Sequence, residues 1–340
     1  MRKRGFTRAG TLGPIADVIS TAGGSPRRVF ARADLPFSLL QSPEVFVPLK
    51  DHFNLLLQSA RELGDELFAV RLGQLVSVDD LGDYGRWIVQ APTLLESLNR
   101  ANRSLVHLLQ SATVLSLRID GERVTWSYDS KDYASEGRQQ NEMLALCFMM
   151  ESARQYLGRK WVPEHILIGG RPVHDKSGLE QLLGTSAGFH EGAGSLVFHR
   201  RLLATRRPQP GRVSRPIDLG RSLDVPNPED LLDTVTALIE LELTERLPSI
   251  AWVAGKLDVS ERTLQRQLEA AGSRFTKLVD SAVQRRAFDL LEDGSRSITS
   301  VALSLGYSDA AHFTRAFKRW VGMSPQRWRD DLLEDRSRHA

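Results

Sequence analysis

Four histidines between residues 165 and 199, with two carboxylates adjacent in sequence to two of them, are of types suited to bind a metal ion. They are His165, His174, His190, His199, Asp175 and Glu191. No two of the histidines have the i, i+4 spacing of an HExxH helix, and no pair of cysteines lies near them. The spacing therefore indicates ordinary surface and turn histidines, and we predict no metal site and no cofactor.

Phosphate-binding loops and reactive thiols are not indicated either. The sequence has no GxxxxGK[ST] and no GxGxxG, and its glycine-rich stretch GFHEGAGS precedes a predicted strand rather than a helix. The single cysteine, Cys147, lies in the apolar run MLALCFMM, which favours a buried thiol and a reducing compartment. No apolar run approaches the ~20 residues of a membrane span. We predict a cytoplasmic protein that is not an enzyme and has no membrane partner.

A spacing that does predict binding chemistry lies in the last third of the chain, where one order of residue types occurs in 249–272 and again in 297–322. Each copy starts with serine and isoleucine, reaches an alanine four residues after the isoleucine, and then has a turn, a hydrophobic residue and a further serine. An amphipathic segment follows each turn. The matching residues are Ala254 and Ala302, Asp258 and Gly306, Val259 and Tyr307, Ser260 and Ser308, Leu264 and Phe313, and Leu268 and Phe317.

Two short helices that cross closely and turn sharply need this order of residues. A small residue, Ala254 or Ala302, permits the crossing, and Asp258 or Gly306 supplies the positive φ of the turn. The serine after the turn caps the second helix. That helix buries its leucines or phenylalanines and leaves its opposite face polar, so it can enter a major groove of DNA. We predict two helix-turn-helix motifs.

The segment between the two copies has apolar residues at helical spacing, and we expect a connecting helix over 275–291, about 25 Å long at ~1.5 Å per residue. A rod of that order can hold two helices near the ~34 Å separation of successive major grooves. Over 249–329, thirteen basic residues outnumber eight acidic ones, a net charge of +5, whereas the preceding EDLLDTVTALIELE is acidic. This segregation predicts that the module binds a polyanion, with the acidic segment turned away.

These residues resemble the DNA-binding domain of the AraC/XylS family of bacterial transcription regulators. The resemblance covers about 100 residues and depends on AWVAGKLDVSERTLQRQL, RRAFDLL and, above all, SITSVALSLGYSDAAHFTRAFKRWVGMSPQRWR. Gly322, Ser324, Pro325, Trp328 and Arg329 all stand where the family pattern has them. The main departure is aspartate at position 258, where the family usually has glycine.

By this resemblance, the second helix of the first motif faces the groove. Its contact residues would be Arg262, Thr263, Gln265 and Arg266. Arginine can bond guanine O6 and N7, and glutamine can bond adenine N6 and N7, each with ~1–3 kcal/mol of discrimination.

The second motif would present fewer hydrogen-bond donors to the bases. Its corresponding residues are Ala310, Ala311, His312, Thr314 and Arg315. The alanines offer methyl contacts at most, so we expect Arg315, Lys318 and Arg319 to contact mainly phosphates. For His312, a local hydrogen bond and a DNA contact are equal alternatives.

The first 205 residues mix helical and strand periodicity, which indicates an α+β domain. Helices are expected in 51–64, 93–109 and 137–158, a hairpin in 112–129 around Asp120 and Gly121, and short strands at 165–170 and 195–200. The basic N-terminus, MRKRGFTRAG, is expected to be a disordered arm. Prolines and arginines in 206–228 predict an interdomain linker.

The N-terminal half more loosely resembles the arabinose-binding-domain-like sensor of one branch of the same family, through FAVRLGQLVSVDDLGDYGRWIVQAPTLLESLNRANR and GLEQLLGTSAGFHEGAGSLVFHRRLLATRRP. We therefore expect an α+β sensing and dimerisation domain at 1–205, a linker at 206–228 and an all-α domain at 229–335 with two helix-turn-helix motifs joined by a connecting helix. The resemblance implies no particular sugar ligand.

Together these features predict a sequence-specific regulator of transcription, an activator, whose partners are double-stranded DNA, a small-molecule effector of unknown identity, RNA polymerase and a second copy of the chain. Two other classes of function stay open. One is an effector-independent DNA-binding or architectural protein whose N-terminal half only mediates assembly. The other is an enzyme fused to a DNA-binding module.

Overall fold

The computed structural model divides the chain into two compact units, Met1–Glu229 and Asp230–Ala340. It describes residues 5–131, 135–208, 225–292, 294 and 296–338, with side chains to 332. Most of the predicted linker, 209–224, lies outside the described residues. None of the described helices has both the length and the apolar composition of a bilayer-spanning segment.

The N-terminal unit is built from helices and two sheets. Its helices are α1 (Ile15–Thr21), α2 (Pro26–Arg32), α3 (Leu49–Leu63), α4 (Phe68–Gly73), α5 (Gly82–Val89), α6 (Leu94–Leu108), α7 (Arg138–Leu157) and α8 (Lys176–Leu183). Its strands are β1 (Phe6–Arg8), β2 (Phe46–Pro48), β3 (Thr113–Asp120), β4 (Arg123–Ser130), β5 (His165–Gly169), β6 (Ala187–His190) and β7 (Gly194–His199). The expected long helices, hairpin and later strands are confirmed, and the α+β class with them.

The larger sheet has the strand order β3-β4-β7-β5-β6, antiparallel except for the β5–β6 pair. In the hairpin, Asp120 pairs with Arg123, so the turn contains two residues and begins at Gly121, whose φ is +56°. Helix α7 packs both on the strands β4, β5 and β7 and on the helices α3, α4 and α5. That double contact explains why its apolar residues do not form a single stripe.

Cys147 lies in the buried middle of α7, as the apolar run predicted. A Cβ added to Gly73 of α4 would lie 2.4 Å from its sulfur, so the two helices approach closely at this point. Burial raises the pKa of the Cys147 thiol to about 12. The thiol is therefore protonated near neutral pH and acts as a small core residue.

The expectation of a disordered N-terminal arm was wrong beyond residue 4. Strand β1 pairs antiparallel with β2, and Phe6 and Thr7 are almost completely buried. Arg8 is also buried: its Nε donates to the Leu108 carbonyl at 2.7 Å, and its Nη1 lies 2.8 Å from a carboxylate oxygen of Glu44. A buried arginine needs such partners, and they fix this segment to the domain. Residues 1–4 of the expected arm lie outside the described residues.

The described part of the C-terminal unit is all helical. Its helices are α9 (Leu231–Glu242), α10 (Ile250–Lys256), α11 (Glu261–Ala270), α12 (Phe275–Glu292), α13 (Ile298–Ser304), α14 (Ala310–Val321) and α15 (Pro325–Arg338). Helix α12 spans 18 residues, about 27 Å at ~1.5 Å per residue, and contacts α9, α13 and α15. The all-α class of this half is confirmed.

Candidate nucleic-acid interface

Helices α10 and α11 form the first predicted helix pair. Ser249 caps α10 by accepting a hydrogen bond from the Trp252 amide, and Ala254 is buried where the helices pack. The turn contains Asp258, whose φ is +53°, the left-handed conformation that the sequence analysis expected there. Ser260 caps α11 by accepting from the Thr263 amide at 3.2 Å. The departure from glycine is therefore accommodated without a change in the turn.

Helices α13 and α14 form the second pair, with one difference from the prediction. Ala302 is fully buried and Gly306 has a φ of +79°. The cap of α14 is Asp309, which accepts from the His312 amide at 2.7 Å, and not Ser308 as expected. The Ser308 hydroxyl instead donates to Asp309 at 3.1 Å.

The cap of α14 differs from the expected serine because the turn of the second helix pair is longer. Four residues separate α10 from α11, and five separate α13 from α14. Matching residues are consequently 48 apart before the turn and 49 apart after it. Counted from the caps Ser260 and Asp309, the equivalent positions are Arg262 with Ala311, Thr263 with His312, Gln265 with Thr314, and Arg266 with Arg315.

The predicted contact residues of α11 lie mainly on its exposed face. Arg262, Gln265 and Arg266 are exposed, whereas Leu264 and Leu268 are fully buried on the opposite side. Thr263 is half-buried, and its hydroxyl lies 2.9 Å from that of Ser260. Three long polar side chains are thus free of the core, while the threonine belongs to the cap.

On α14 the exposed side chains are more basic and less varied. Phe313 and Phe317 are fully buried, and Thr314 is half-buried with its hydroxyl donated to the Ala310 carbonyl at 2.7 Å. The ring of His312 stands edge-on to that of Tyr307, with centroids 5.3 Å apart, so the local contact of the His312 ring is with an aromatic side chain. Ala310 is half-buried; the exposed residues are Ala311, His312, Arg315, Lys318 and Arg319.

The end of the family-like pattern has a structural role that its spacing did not reveal. The Trp328 ring stacks on Phe288 of α12 and meets Phe317 of α14 edge-on. The Arg329 guanidinium is buried and donates to the Arg296 carbonyl at 2.5 Å. These contacts fix α15 to the connecting helix and to the second helix pair.

Two acidic side chains of helix α9 form ion pairs within the C-terminal unit. Glu240 forms a 2.6 Å ion pair with Arg285 of α12. Glu242 is buried, accepts from the Ser249 amide at 3.1 Å, and pairs with Arg246. The sequence analysis expected this segment to face away from a polyanion and did not foresee these contacts.

The four histidines between residues 165 and 199 have local partners. His174 lies 3.1 Å from Glu66, His190 is within hydrogen-bond distance of the Ala193 carbonyl, and His199 accepts from the Arg201 amide. Within the part of the chain that the structure describes, no group of three histidine, cysteine or acidic side chains could hold a metal ion.

One serine–histidine pair was missed in the sequence. Residues 184–188, GTSAG, have GxSxG spacing, and the hydroxyl of Ser186 lies 2.7 Å from His165 Nδ1. The catalytic version of this motif is a turn from a strand into a helix, which exposes the serine. Here the segment runs from α8 into β6, the opposite order. The pair does not have the geometry of a nucleophile elbow.

Two capped helix pairs, each presenting an exposed polar face on its second helix and joined by one connecting helix, define a double helix-turn-helix protein. Residues 253–331 match a helix-turn-helix domain family, and residues 23–206 match the arabinose-binding domain of AraC transcription regulators, N-terminal. The second match covers more than half of the chain. The chain belongs to the AraC family of transcription regulators.

The chain is similar to known transcriptional regulators over nearly its whole length. The chain is 26% identical to the HTH-type transcriptional regulator VirS of Mycobacterium tuberculosis, over 95% of this chain and 96% of VirS. It is also 26% identical to the ornithine utilization regulator of Pseudomonas aeruginosa, over 93% and 94% of the two chains. The crystal structure of CdpR from Pseudomonas aeruginosa is similar with a TM-score of 0.37 and 23% identity, covering 78% of this chain and 86% of CdpR.

Proposed function

We propose that this chain is a cytoplasmic transcriptional activator that reads a specific DNA duplex with α11 and α14 and is controlled by a small molecule bound in its N-terminal unit. The observation that carries this proposal is the repeated arrangement of a capped, exposed second helix. The exposed N-terminal ends of these helices suit DNA, because helix N-termini favour negative charge and recognition helices enter the major groove by that end.

The two helices have unequal tasks in this proposal. On α11, Arg262 and Arg266 bond guanines and Gln265 bonds an adenine. On α14, alanine stands at the position equivalent to Arg262, and the Thr314 hydroxyl is already used within its helix. Helix α14 therefore reads fewer bases: Ala310, Ala311 and His312 supply close contact, and Arg315, Lys318 and Arg319 bind phosphates.

Control by an effector is supported by the match of residues 23–206, within the N-terminal unit, to the arabinose-binding domain of AraC transcription regulators. A ligand that binds one of two states of the protein more tightly shifts the population toward that state. In the proposed mechanism the favoured state differs in the orientation or dimerisation of the DNA-binding units. RNA polymerase is then the partner that the activator recruits.

The test is a selection of binding sites from a random duplex library with the full chain. We expect an enriched site with one well-defined element and, about one helical turn away, a weaker one. The selected duplex should bind at least ~10³-fold more tightly than a scrambled duplex at physiological salt. Failure to enrich any sequence would support an architectural protein and exclude specific reading.

The activator part has its own measurement. The selected duplex, placed upstream of a weak promoter with a reporter, should raise expression when the full chain is present. A fall in expression would identify a repressor, and the sequence-specific reading would still stand. Expression unaffected by any small molecule would favour the effector-independent alternative.

A further inference from the structure

A cavity of about 60 Å³ lies inside the N-terminal unit, between α3, α5, α6, α7 and the β3–β4 hairpin. This volume is several times the ~10–15 Å³ minimum for holding one water, so the cavity can hold more than one water or a small organic molecule. Its wall is mostly aliphatic and aromatic, and none of its lining side chains is an aspartate, glutamate, lysine or arginine.

The polar part of the wall is largely satisfied by its own hydrogen bonds. The hydroxyl oxygen of Tyr128 accepts from the Gln110 amide at 2.6 Å and from the Asn141 amide at 2.9 Å. Gln110 also donates to Thr113 at 2.6 Å. These bonds fix the polar side chains in place before any ligand arrives, as in most small-molecule sites.

His52 is the exception, and its tautomer follows from its neighbours. The Thr11 hydroxyl donates to the Arg8 carbonyl at 2.7 Å, so at its 3.1 Å contact with His52 Nε2 it can only accept. Nε2 therefore carries the hydrogen, and Nδ1 is a bare acceptor. The ring is 1% exposed, and among the described residues Nδ1 has no hydrogen-bond partner. An unused acceptor at such burial is costly unless something donates to it.

We infer that this cavity is the effector site, and that it binds a small uncharged molecule whose apolar body carries a hydroxyl or amide N–H that donates to His52 Nδ1. The inference rests on the proposed function, because it gives a place and a chemistry to the effector named there. The lining contains no side chain that could neutralise a carboxylate or ammonium, and burying an unpaired charge is prohibitive.

The state of His52 agrees with this ligand chemistry. Burial lowers the pKa of His52 to about 4, and the neighbouring Asn141 side chain offsets this only in part. The ring is neutral at physiological pH and offers a lone pair and not a charge. Asn141 donates one of its two amide hydrogens to Tyr128 at 2.9 Å, and no residue among those described makes a hydrogen bond with His52 Nδ1.

The probes are phenol, anisole and benzoate, titrated calorimetrically into the full chain. Phenol is neutral and has a donor, anisole has the same ring and oxygen without the donor, and benzoate is charged. We expect phenol to bind at least about tenfold more tightly than anisole, and benzoate not to bind. In His52→Phe, phenol should weaken about tenfold and become equal to anisole, whereas His107→Phe, at an exposed position, should leave both unchanged.

A second variant tests occupancy of the space itself. Ala145 lines the cavity, and Ala145→Leu adds carbon atoms there. It should abolish phenol binding while circular dichroism shows a native fold; should it not fold, His52→Phe decides alone. Equal affinities for phenol and anisole in the wild type, or unchanged phenol binding in both variants, would overturn the inference.

The same proteins separate this inference from the proposed function. Affinity for the selected duplex is measured with and without saturating phenol. Phenol binding as predicted, without any change in DNA affinity, supports the cavity as a ligand site and contradicts its role as the effector site. A metabolite that changes DNA affinity equally in the wild type and Ala145→Leu supports effector control but overturns the cavity assignment.

Discussion

Trp328 stacks on Phe288, with ring centroids 4.9 Å apart and planes inclined by 26°. The first residue belongs to α15, near the end of the family-like pattern, and the second to the connecting helix. Both also meet Phe317 of α14 edge-on. This aromatic cluster joins α14 and α15 to α12, so we expect it to help fix the orientation of α14.

Trp328→Ala removes one face of this cluster. We expect the free energy of unfolding of the C-terminal unit to fall by about 3 kcal/mol, as is typical when a packed aromatic residue is truncated. Trp328→Phe keeps a ring in the same place and should cost about 1 kcal/mol. Urea unfolding followed by circular dichroism measures both. Equal stability of Trp328→Ala and the wild type would show that the stacking is incidental.

Two features require glycine at position 306, a positive φ and a close neighbour. Gly322 has the first feature without the second, so a comparison of the two positions separates them. The φ of Gly306 is +79°, and an added Cβ would lie 2.8 Å from Leu247 Cγ. Gly322 has a φ of +81° but nothing within 4 Å of an added Cβ. Gly322→Ala should therefore cost only the left-handed strain, about 1 kcal/mol, and Gly306→Ala roughly 1–3 kcal/mol more for the clash. Equal losses in urea unfolding would mean that Leu247 moves aside freely.

Arg266→Ala and Lys318→Ala should affect DNA binding in different ways. Loss of a base contact from Arg266 should cost about 1–3 kcal/mol at one or two base pairs of the selected site and relax the preference there. Loss of Lys318 should weaken all sequences alike and reduce the slope of log K against log salt by about 1. Arg285→Ala is the control, since Arg285 pairs with Glu240 within the domain. If neither variant changes affinity, the assignment of these faces to DNA is wrong.

Much of the C-terminal fold could be predicted from short-range patterns in the sequence. The small residues at the crossings, the positive-φ turns and the buried pairs such as Leu264 and Leu268 all act within a few residues of one another. Local sequence could not decide between Ser308 and Asp309 as the cap of α14, because both side chains can accept from a helix amide. The longer second turn selects the aspartate.

The features that escaped prediction depend on contacts between distant parts of the chain. Strand β1 is too short for a periodic signal, and its partner β2 is some forty residues away. The cavity gathers side chains from several elements, and the tautomer of His52 is set by Thr11. In the sequence His52 is only one polar residue within the amphipathic helix α3.

Asp309→Ala tests the cap of α14 against Ser308→Ala. The backbone hydrogen bond from His312, followed by the one from Ser308, lowers the pKa of the Asp309 carboxyl. Removing that carboxyl leaves an amide at the helix N-terminus without its acceptor, so the melting temperature should fall measurably. Ser308→Ala should leave it nearly unchanged. Differential scanning calorimetry measures both melting temperatures. A larger fall for Ser308→Ala than for Asp309→Ala would show that Ser308 is the cap.

His52 should make the N-terminal unit less stable in acid, because the pKa of its ring is about 4 in the folded state against 6.5 for the free side chain. Between these values the unfolded chain binds a proton that the folded chain does not, so stability rises with pH. The contribution is fully present above pH 6.5, falls away as the pH drops toward 4, and amounts to about 3 kcal/mol over that window. His52→Phe should remove this part of the pH dependence, whereas His107→Phe should keep it. Urea unfolding at a series of pH values measures the slopes, and parallel curves for wild type and His52→Phe would show that the ring is protonated in the folded state.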